Sequence, residues 1–427
     1  MSTLPESGRA EAKKERAGRS GWLGAWSRTP LYLQILVGLV LGLIVGIVLG
    51  PAAKSLDLPA RLILRVLGAL APAIVLLAVM HALMTADVRG RAASRLAGLL
   101  LLNTTVAILV GLTVANVLEP GHGAKLPPPA NPPSLPKGDV FAQLIDNVPA
   151  SLLRPLVENN VIGVVLLAIA FGIAARQQTG EKRKVLEQVV GVAFDLVIRV
   201  LHWVIAAVPF AVFGKVASIV GQSGFQPFRA LGVFVVAVLC ALALQSTFYL
   251  VRIRLGSWVR PLALLRGIRD ALVMAFSTAS STATMPVTYS RLRQFGLRER
   301  SSSLGALVGS NFNNDGTALY EAMSALFIAQ MLGHPLSLVD QVLIILTSIV
   351  ASVGAAGIPE AGLVTMTLVF GAVHLPVEYI ALLLTVDWFL DRCRTAINVL
   401  GDVNVACLLD GKERAPPGEE PPPPVVA

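Results

Sequence analysis

The sequence predicts an all-α, polytopic membrane protein with eight transmembrane helices and two re-entrant helical hairpins laid out as inverted repeats. Three observations carry this. First, 55% of the 427 residues are hydrophobic and 14% are charged, against about 25% charged in soluble domains, and the mean hydropathy is +0.71. Second, apolar runs long enough to cross a bilayer alternate with short basic clusters, as the positive-inside rule requires. Third, two segments in the C-terminal half break that alternation, because each has flanks of one charge character and must enter and leave by the same face.

Taken in order, residues 1–28 form a basic tail with Lys13, Lys14, Arg16, Arg19 and Arg28. No small-residue cleavage site follows, so the first span is expected to be retained. Spans follow over about 31–49, 62–84 and 96–118. A Pro-rich loop, 119–137, cannot be helical. Region 140–175 is broken by Pro149 and Pro155 and ends in a good span from Val161. The fifth span is expected over about 189–220 with Pro209 inside it, and the sixth over about 231–251. The N-terminus, 89–95, 176–184 and 252–269 are basic and should be cytoplasmic. The loops 119–137 and 221–227 should be external.

Segment 262–289 then has basic flanks on both sides, and its middle reads FSTASSTATMP (276–286). A re-entrant hairpin with a Ser/Thr tip at membrane depth satisfies both facts; a surface amphipathic helix is the alternative. The seventh span, 304–331, carries SNFNNDGTALYEA (310–322). Gly316 beside Asn311, Asn313, Asn314 and Asp315 makes a poor helix interior, so an unwound patch is expected whose oxygens could hold a cation. Segment 338–369 is interrupted by GAAGIPEAG (354–362), and its flanks lack Lys and Arg. It reads as a second hairpin entering from the opposite face.

The last span contains VDWFLDRCRTAINVLGD (386–402). Five ionised side chains here, at about 2.5–3.5 kcal/mol each at mid-bilayer, would cost on the order of 12–17 kcal/mol against lipid, while each Leu or Val returns only about 0.3–0.6. They must line an enclosed, partly wet site. Asp387, Asp391, Arg394, Thr395, Asn398 and Asp402 recur at steps of three and four and form one polar stripe. A salt-bridge ladder that only joins helices is the bland alternative. From 411 the tail is Pro/Glu-rich and expected to be disordered.

Several function classes drop out. The net charge of +9 sits in inter-span clusters, so no nucleic-acid partner is expected. Cys240, Cys393 and Cys407 lie in apolar segments without redox or metal spacing. No Walker A, HExxH or nucleophile-elbow motif is present, so neither an enzyme nor an ATP-driven pump is expected.

The serine-rich hairpin tip, NNDGTALYEA, SVGAAGIPEAG and VDWFLDRCRTAINVLGD together resemble the dicarboxylate/amino acid:cation symporter family, the glutamate transporter homologues. The resemblance runs from about 31 to 409 and is strongest from Phe276 onward. In detail it is nearest the animal excitatory amino acid transporters, since Ala279 stands where archaeal members place an Arg and Arg392 would supply that guanidinium from the last helix. It implies a glutamate-transporter-like fold and a secondary active symporter of glutamate or aspartate. It also implies a homotrimer among membrane lipids in the cell (inner) membrane, with both termini cytoplasmic and no cofactor beyond Na⁺ as coupling ion. Residues 29–410 would form the transporter domain, with scaffold spans at about 31–84 and 140–220 and a transport core at about 92–118 and 228–410.

The resemblance also implies roles. Arg394 and Thr317 would meet the substrate's side-chain carboxylate and Asp391 its ammonium. Thr395, Asn398, Ser280 and Ser281 would hold the main-chain carboxylate, with Ile358 and Gly362 at the second hairpin tip. One Na⁺ would use Asp402, Asn398, Gly309 and Asn313. A second would use Asp315 and Asn313 with Asn103 and Thr104, or Thr105 in a shifted register. A third would use hairpin backbone near Ser352. Glu321 matches a position that carries a proton and enables K⁺ counter-transport in the animal relatives; a hydrogen-bonded structural acid is its alternative. Glu360 would be a solvent-facing gate residue. Three departures bear on the ions: Asn314 replaces the methionine of the family's NMDGT, and Asn311 and Phe312 replace a small Thr–Ile pair. A C4-dicarboxylate:cation symporter, a substrate-gated anion channel of the same fold and a transport-like sensor remain as alternatives.

Overall fold

A computed structural model describes residues 29–85, 90–126, 149–158, 160–355 and 361–414, and among these the chain is entirely helical and turn, with no strand. Helix α1 (Leu31–Leu49) runs through a 3₁₀ segment (Gly50–Asp57) into α2 (Leu58–Thr85). Next come α3 (Gly90–Leu118), the single turn α4 (Arg154–Val157), and α5 (Val161–Arg176), whose N-cap Asn160 accepts from Gly163 N. Two helices, α6 (Gly180–Ile205) and α7 (Val208–Ser223), replace the single span expected over 189–220. The break falls where it must, since Pro209 has no N–H to give the Ile205 carbonyl and is tolerated only in a helix's first turn. Helix α8 (Gln226–Gly256) closes this half.

The C-terminal half opens with α9 (Pro261–Gly267), α10 (Arg269–Thr278) and α11 (Ser281–Phe295). The chain then runs through α12 (Glu299–Ser303), a π-helical turn (Leu304–Val308) and α13 (Gly309–Phe312) into α14 (Asp315–Met331). Helices α15 (Leu338–Gly354) and α16 (Ala361–Ala372) pack on each other, and a 3₁₀ turn (Val377–Tyr379) leads to α17 (Ile380–Asp410).

Two sets of helices pack mainly among themselves. Helix α7 lies along α1 and α2, and α2 also packs on α5 and α6; α3, α8, α10, α11 and α14 gather around α17 or one another, and α15 and α16 bridge the two sets through α2. Close approach of α1 to α7 depends on a glycine stripe. A Cβ at Gly38, Gly42 or Gly46 would lie 2.6, 2.8 and 2.8 Å from the carbonyl oxygens of Pro209, Phe213 and Ala217. Small residues every four positions let backbones touch where lipid offers no hydrophobic drive for association.

A buried ion pair ties the same set to the start of α17. Lys215 Nζ on α7 is 3.3 Å from Asp57 Oδ1 and lies 4.6 Å from the ring centroid of Tyr379. Arg61 completes the neutralisation of Asp57 at 2.9 Å, as a buried pair requires.

By length and composition four helical stretches can cross a membrane: Leu31–Thr85, Ser94–Leu118, Gly180–Ile205 and Gln226–Gly256. Helix α17, at 31 residues about 46 Å long, is long enough but too charged to face lipid. Past it the chain stays packed through Arg414, beyond the point where the tail is expected to lose order. Trp258 N donates to Gly411 O, Arg298 reaches the Glu413 carbonyl, and Arg414 covers the Trp258 ring.

Candidate functional site

The polar stripe of α17 is buried as its energetics demand: Asp387, Asp391, Arg394, Thr395, Asn398 and Asp402 are each 8% exposed or less. Three surrounding pieces enclose it, namely the α10–α11 connection, the break before α14 and the α15–α16 pair.

The first piece turns at Ala279, left-handed at φ 51°, and Ser280, the N-cap of α11, accepts from Ala283 N. A Ser N-cap followed by a new helix is a strong start signal, which explains why the tip is readable in FSTASSTATMP. Ser280 and Ser281 are both buried. Arg392 donates from Nη1 to the carbonyls of Phe276 and Ser277 at 3.1 and 2.5 Å. It thus places a cation at the C-terminal end of α10, where the helix dipole favours one.

The second piece is the helix break at Asn313 (φ −100°, ψ 69°) and Asn314 (φ −97°, ψ 47°), at the expected place. Asn398 caps α14 from across the site, its Oδ1 accepting from Gly316 N at 2.7 Å. Gly316 is required there, because a Cβ would sit 2.8 Å from the Arg394 carbonyl oxygen.

Arg394 is the centre of the cluster. Its Nη1 lies 2.9 Å from Asp387 Oδ1, its Nη2 donates to Asp391 Oδ1 at 2.9 Å, and Cζ is 4.0 Å from the Tyr320 ring centroid. With Nη1 paired to Asp387 and Nη2 to Asp391, Nε is the guanidinium nitrogen left buried without an acceptor. Thr317 and Gly362 stand beside this guanidinium: a Cβ at Gly362 would be 3.0 Å from Thr317 Cγ2 and 3.8 Å from Arg394 Nη2. One turn along α14 from Thr317, Glu321 is fully buried and accepts from Thr365 Oγ1, three residues beyond Gly362 on α16. Thr395 is less available than the spacing suggests, since its hydroxyl donates back to the Asp391 carbonyl at 2.8 Å. Ile358 and Glu360 lie outside the described residues.

Oxygen donors gather at the other end of the stripe. Asp402 Oδ1 and Asn313 Oδ1 are buried without hydrogen-bond partners, and Asp402 abuts Gly309 so closely that a Cβ there would be 2.6 Å from Oδ1. Uncompensated buried oxygens of this kind suit a hard cation. Among the described residues no group of three His, Cys, Asp or Glu is spaced for a metal; the donors here are carboxylate, amide and backbone oxygens. Asp315 differs, because both its oxygens are already engaged, Oδ1 by Thr104 at 2.7 Å and Oδ2 by the Tyr249 hydroxyl.

Asn103 is expected among the oxygen donors around Asp315. Its Oδ1 accepts from Arg252 Nη1. Thr104 is the residue of that helix that reaches Asp315. Tyr249, Arg252, Tyr320 and Thr365 were not legible as site residues, since a lone Tyr, Arg or Thr in a span carries no local signal.

Fold and site together define an integral membrane protein with a charged, enclosed polar cluster at its centre. Comparison with protein families matches residues 31–412 to the sodium:dicarboxylate symporter family, and the chain belongs to it. It is 41% identical over 249 residues to an excitatory amino acid transporter of Caenorhabditis elegans, covering 57% of this chain and 49% of that protein. It is 37% identical over 250 residues to excitatory amino acid transporter 3 of Mus musculus (57% and 47%) and 39% identical over 249 residues to excitatory amino acid transporter 2 of the same species (57% and 43%). The chain spans about half the length of the curated relatives it matches.

Proposed function

We propose that this chain is a secondary active symporter of acidic amino acids, glutamate or aspartate, driven by a cation gradient. Na⁺ is the first coupling ion, and Glu321 would carry a proton. The observation that supports this is Arg394, a buried guanidinium held between Asp387 and Asp391 with its Nε left without an acceptor. A planar fork suits a substrate carboxylate, and Asp391 beside it suits an ammonium. Membership in the sodium:dicarboxylate symporter family and similarity to excitatory amino acid transporters point the same way.

In this reading α10–α11 and α15–α16 are the two re-entrant hairpins, and eight spans complete the fold. The set around α1, α2, α5, α6 and α7 is the scaffold of a homotrimer, and the set around α17 moves against it. Both termini are cytoplasmic, and residues 1–28 and the end of the chain are tails. Ser280 and Ser281 meet the main-chain carboxylate, and Asp402, Asn313, Asn398 and Gly309 hold Na⁺.

Uptake of labelled L-glutamate, L-aspartate and succinate into proteoliposomes under imposed Na⁺, H⁺ and K⁺ gradients tests it. Concentrative uptake of an acidic amino acid under a Na⁺ or H⁺ gradient is expected. Accumulation under neither gradient would sink the proposal, and accumulation of succinate alone would assign a C4-dicarboxylate carrier instead.

A further inference from the structure

Helix α15 ends inside the protein, and its end raises an accounting question. The last carbonyls of a helix have no intrahelical donor and carry the negative end of its dipole. Ala355 N satisfies the Ala351 carbonyl at 2.8 Å. The carbonyls of Ser352 and Ala355, in residues 0% and 3% exposed, both accept from one atom, Asn314 Nδ2, at 3.1 and 2.9 Å. An amide nitrogen has two hydrogens, so both are spent here. Around them the hydroxyls of Ser348 and Ser352 are buried without partners. The helix end is thus an oxygen-rich pocket whose positive pole is a neutral carboxamide.

In transporters built from broken helices, such C-terminal ends coordinate Na⁺ or H⁺. An NH₂ group aimed at two converging carbonyls occupies the place a cation bridging them would need, and its hydrogens would repel one. We infer that the Asn314 carboxamide replaces a coupling cation at the end of α15, so that α15 is fastened to the α14 break without an ion. The inference rests on the cation-coupled reading above. The contrast within this chain is direct: Asp402 Oδ1 and Asn313 Oδ1 remain unpaired and buried, and that seat keeps its need for a cation.

The test is hydrogen exchange of residues 349–355 in the purified full chain, in sodium chloride and in choline chloride, without substrate. It reads the helix end even if acidic amino acids are not the cargo. Protection in the unaltered chain is expected to be equal in the two salts. Asn314→Met should lower protection in choline on the order of tenfold, the effect of losing two buried hydrogen bonds, and sodium should restore it. Asn314→Asp, which exchanges the donors for a charged oxygen, should behave likewise and serves if the Met variant does not fold. Wild-type protection that rises with sodium, and still does so in the Asp402→Asn background, would overturn the inference. So would variants that keep full protection in choline, or a loss that sodium does not reverse.

Discussion

The Arg394 guanidinium lies over the ring of Tyr320, 4.0 Å from Cζ to the ring centroid, with Asp387 on Nη1 and Asp391 on Nη2. The ring and two carboxylates hold the group in place and leave Nε without an acceptor. A cation over an aromatic face away from water gains about 2 kcal/mol, and a buried guanidinium needs its counter-charges present. Under the proposed function, such a site is set before substrate arrives, which lowers the ordering cost of binding.

Arg394→Cys should abolish acidic amino acid uptake and favour neutral amino acids. Truncating one member of a buried charge pair costs about 2–5 kcal/mol, or at least roughly thirtyfold in affinity. Arg394→Lys keeps the charge but not the fork and should also lose affinity. Competition binding with labelled aspartate measures both, and unchanged aspartate affinity in either variant contradicts the assignment.

Glu321 accepts from Thr365 and has a second oxygen, Oε2, that is buried and unpaired. Glu321→Gln should retain substrate exchange across preloaded proteoliposomes while net uptake falls. Equal loss of both activities, with lowered thermal stability, would assign Glu321 to structure alone.

Asp402 supplies an unpaired carboxylate oxygen, Oδ1, to the expected cation seat. Asp402→Asn should raise the sodium concentration for half-maximal substrate binding by about tenfold, equivalent to about 1.4 kcal/mol. The substrate affinity at saturating sodium should change much less. A sodium titration followed by isothermal calorimetry separates the two, and an unshifted sodium curve removes Asp402 from the seat.

Gly316 sets the distance between α14 and α17. Gly316→Ala would push a methyl against the Arg394 carbonyl and Cα, 2.8 and 3.1 Å away, at a cost of about 1–3 kcal/mol. Gly371→Ala, with nothing within 4 Å of the added carbon, is the neutral control. Thermal unfolding in detergent should place the first variant well below the second.

The helix breaks were readable because their causes are local. Ser280 announces a helix start, and Asn313–Asn314–Asp315–Gly316 disfavours continuing one. The fifth span was misdrawn for an equally local reason, Pro209 in a first turn rather than an interior. The Gly38–Gly42–Gly46 stripe is invisible to hydropathy, since α1 is apolar on all sides and only the α7 backbone shows which face needs small residues. Asn103 entered the cation reading through the family resemblance alone; its partner Arg252 lies 149 residues away, and no spacing rule reaches that far.

By itself the sequence determined that the chain is a helical membrane protein, that its helices break around Ser280 and Asn313–Asn314, and that α17 cannot meet lipid. Those follow from the cost of bare backbone and bare charge in hydrocarbon, which each segment incurs alone. Only the tertiary structure decided which donor meets which acceptor. Asn398 caps α14, Tyr249 and Thr104 take Asp315, Asn314 takes the end of α15, and Asp402 Oδ1 is left unpaired. Hydrogen bonds depend on direction and on distance to a few tenths of an ångström. Between groups far apart in the chain, those quantities exist only once the helices have packed.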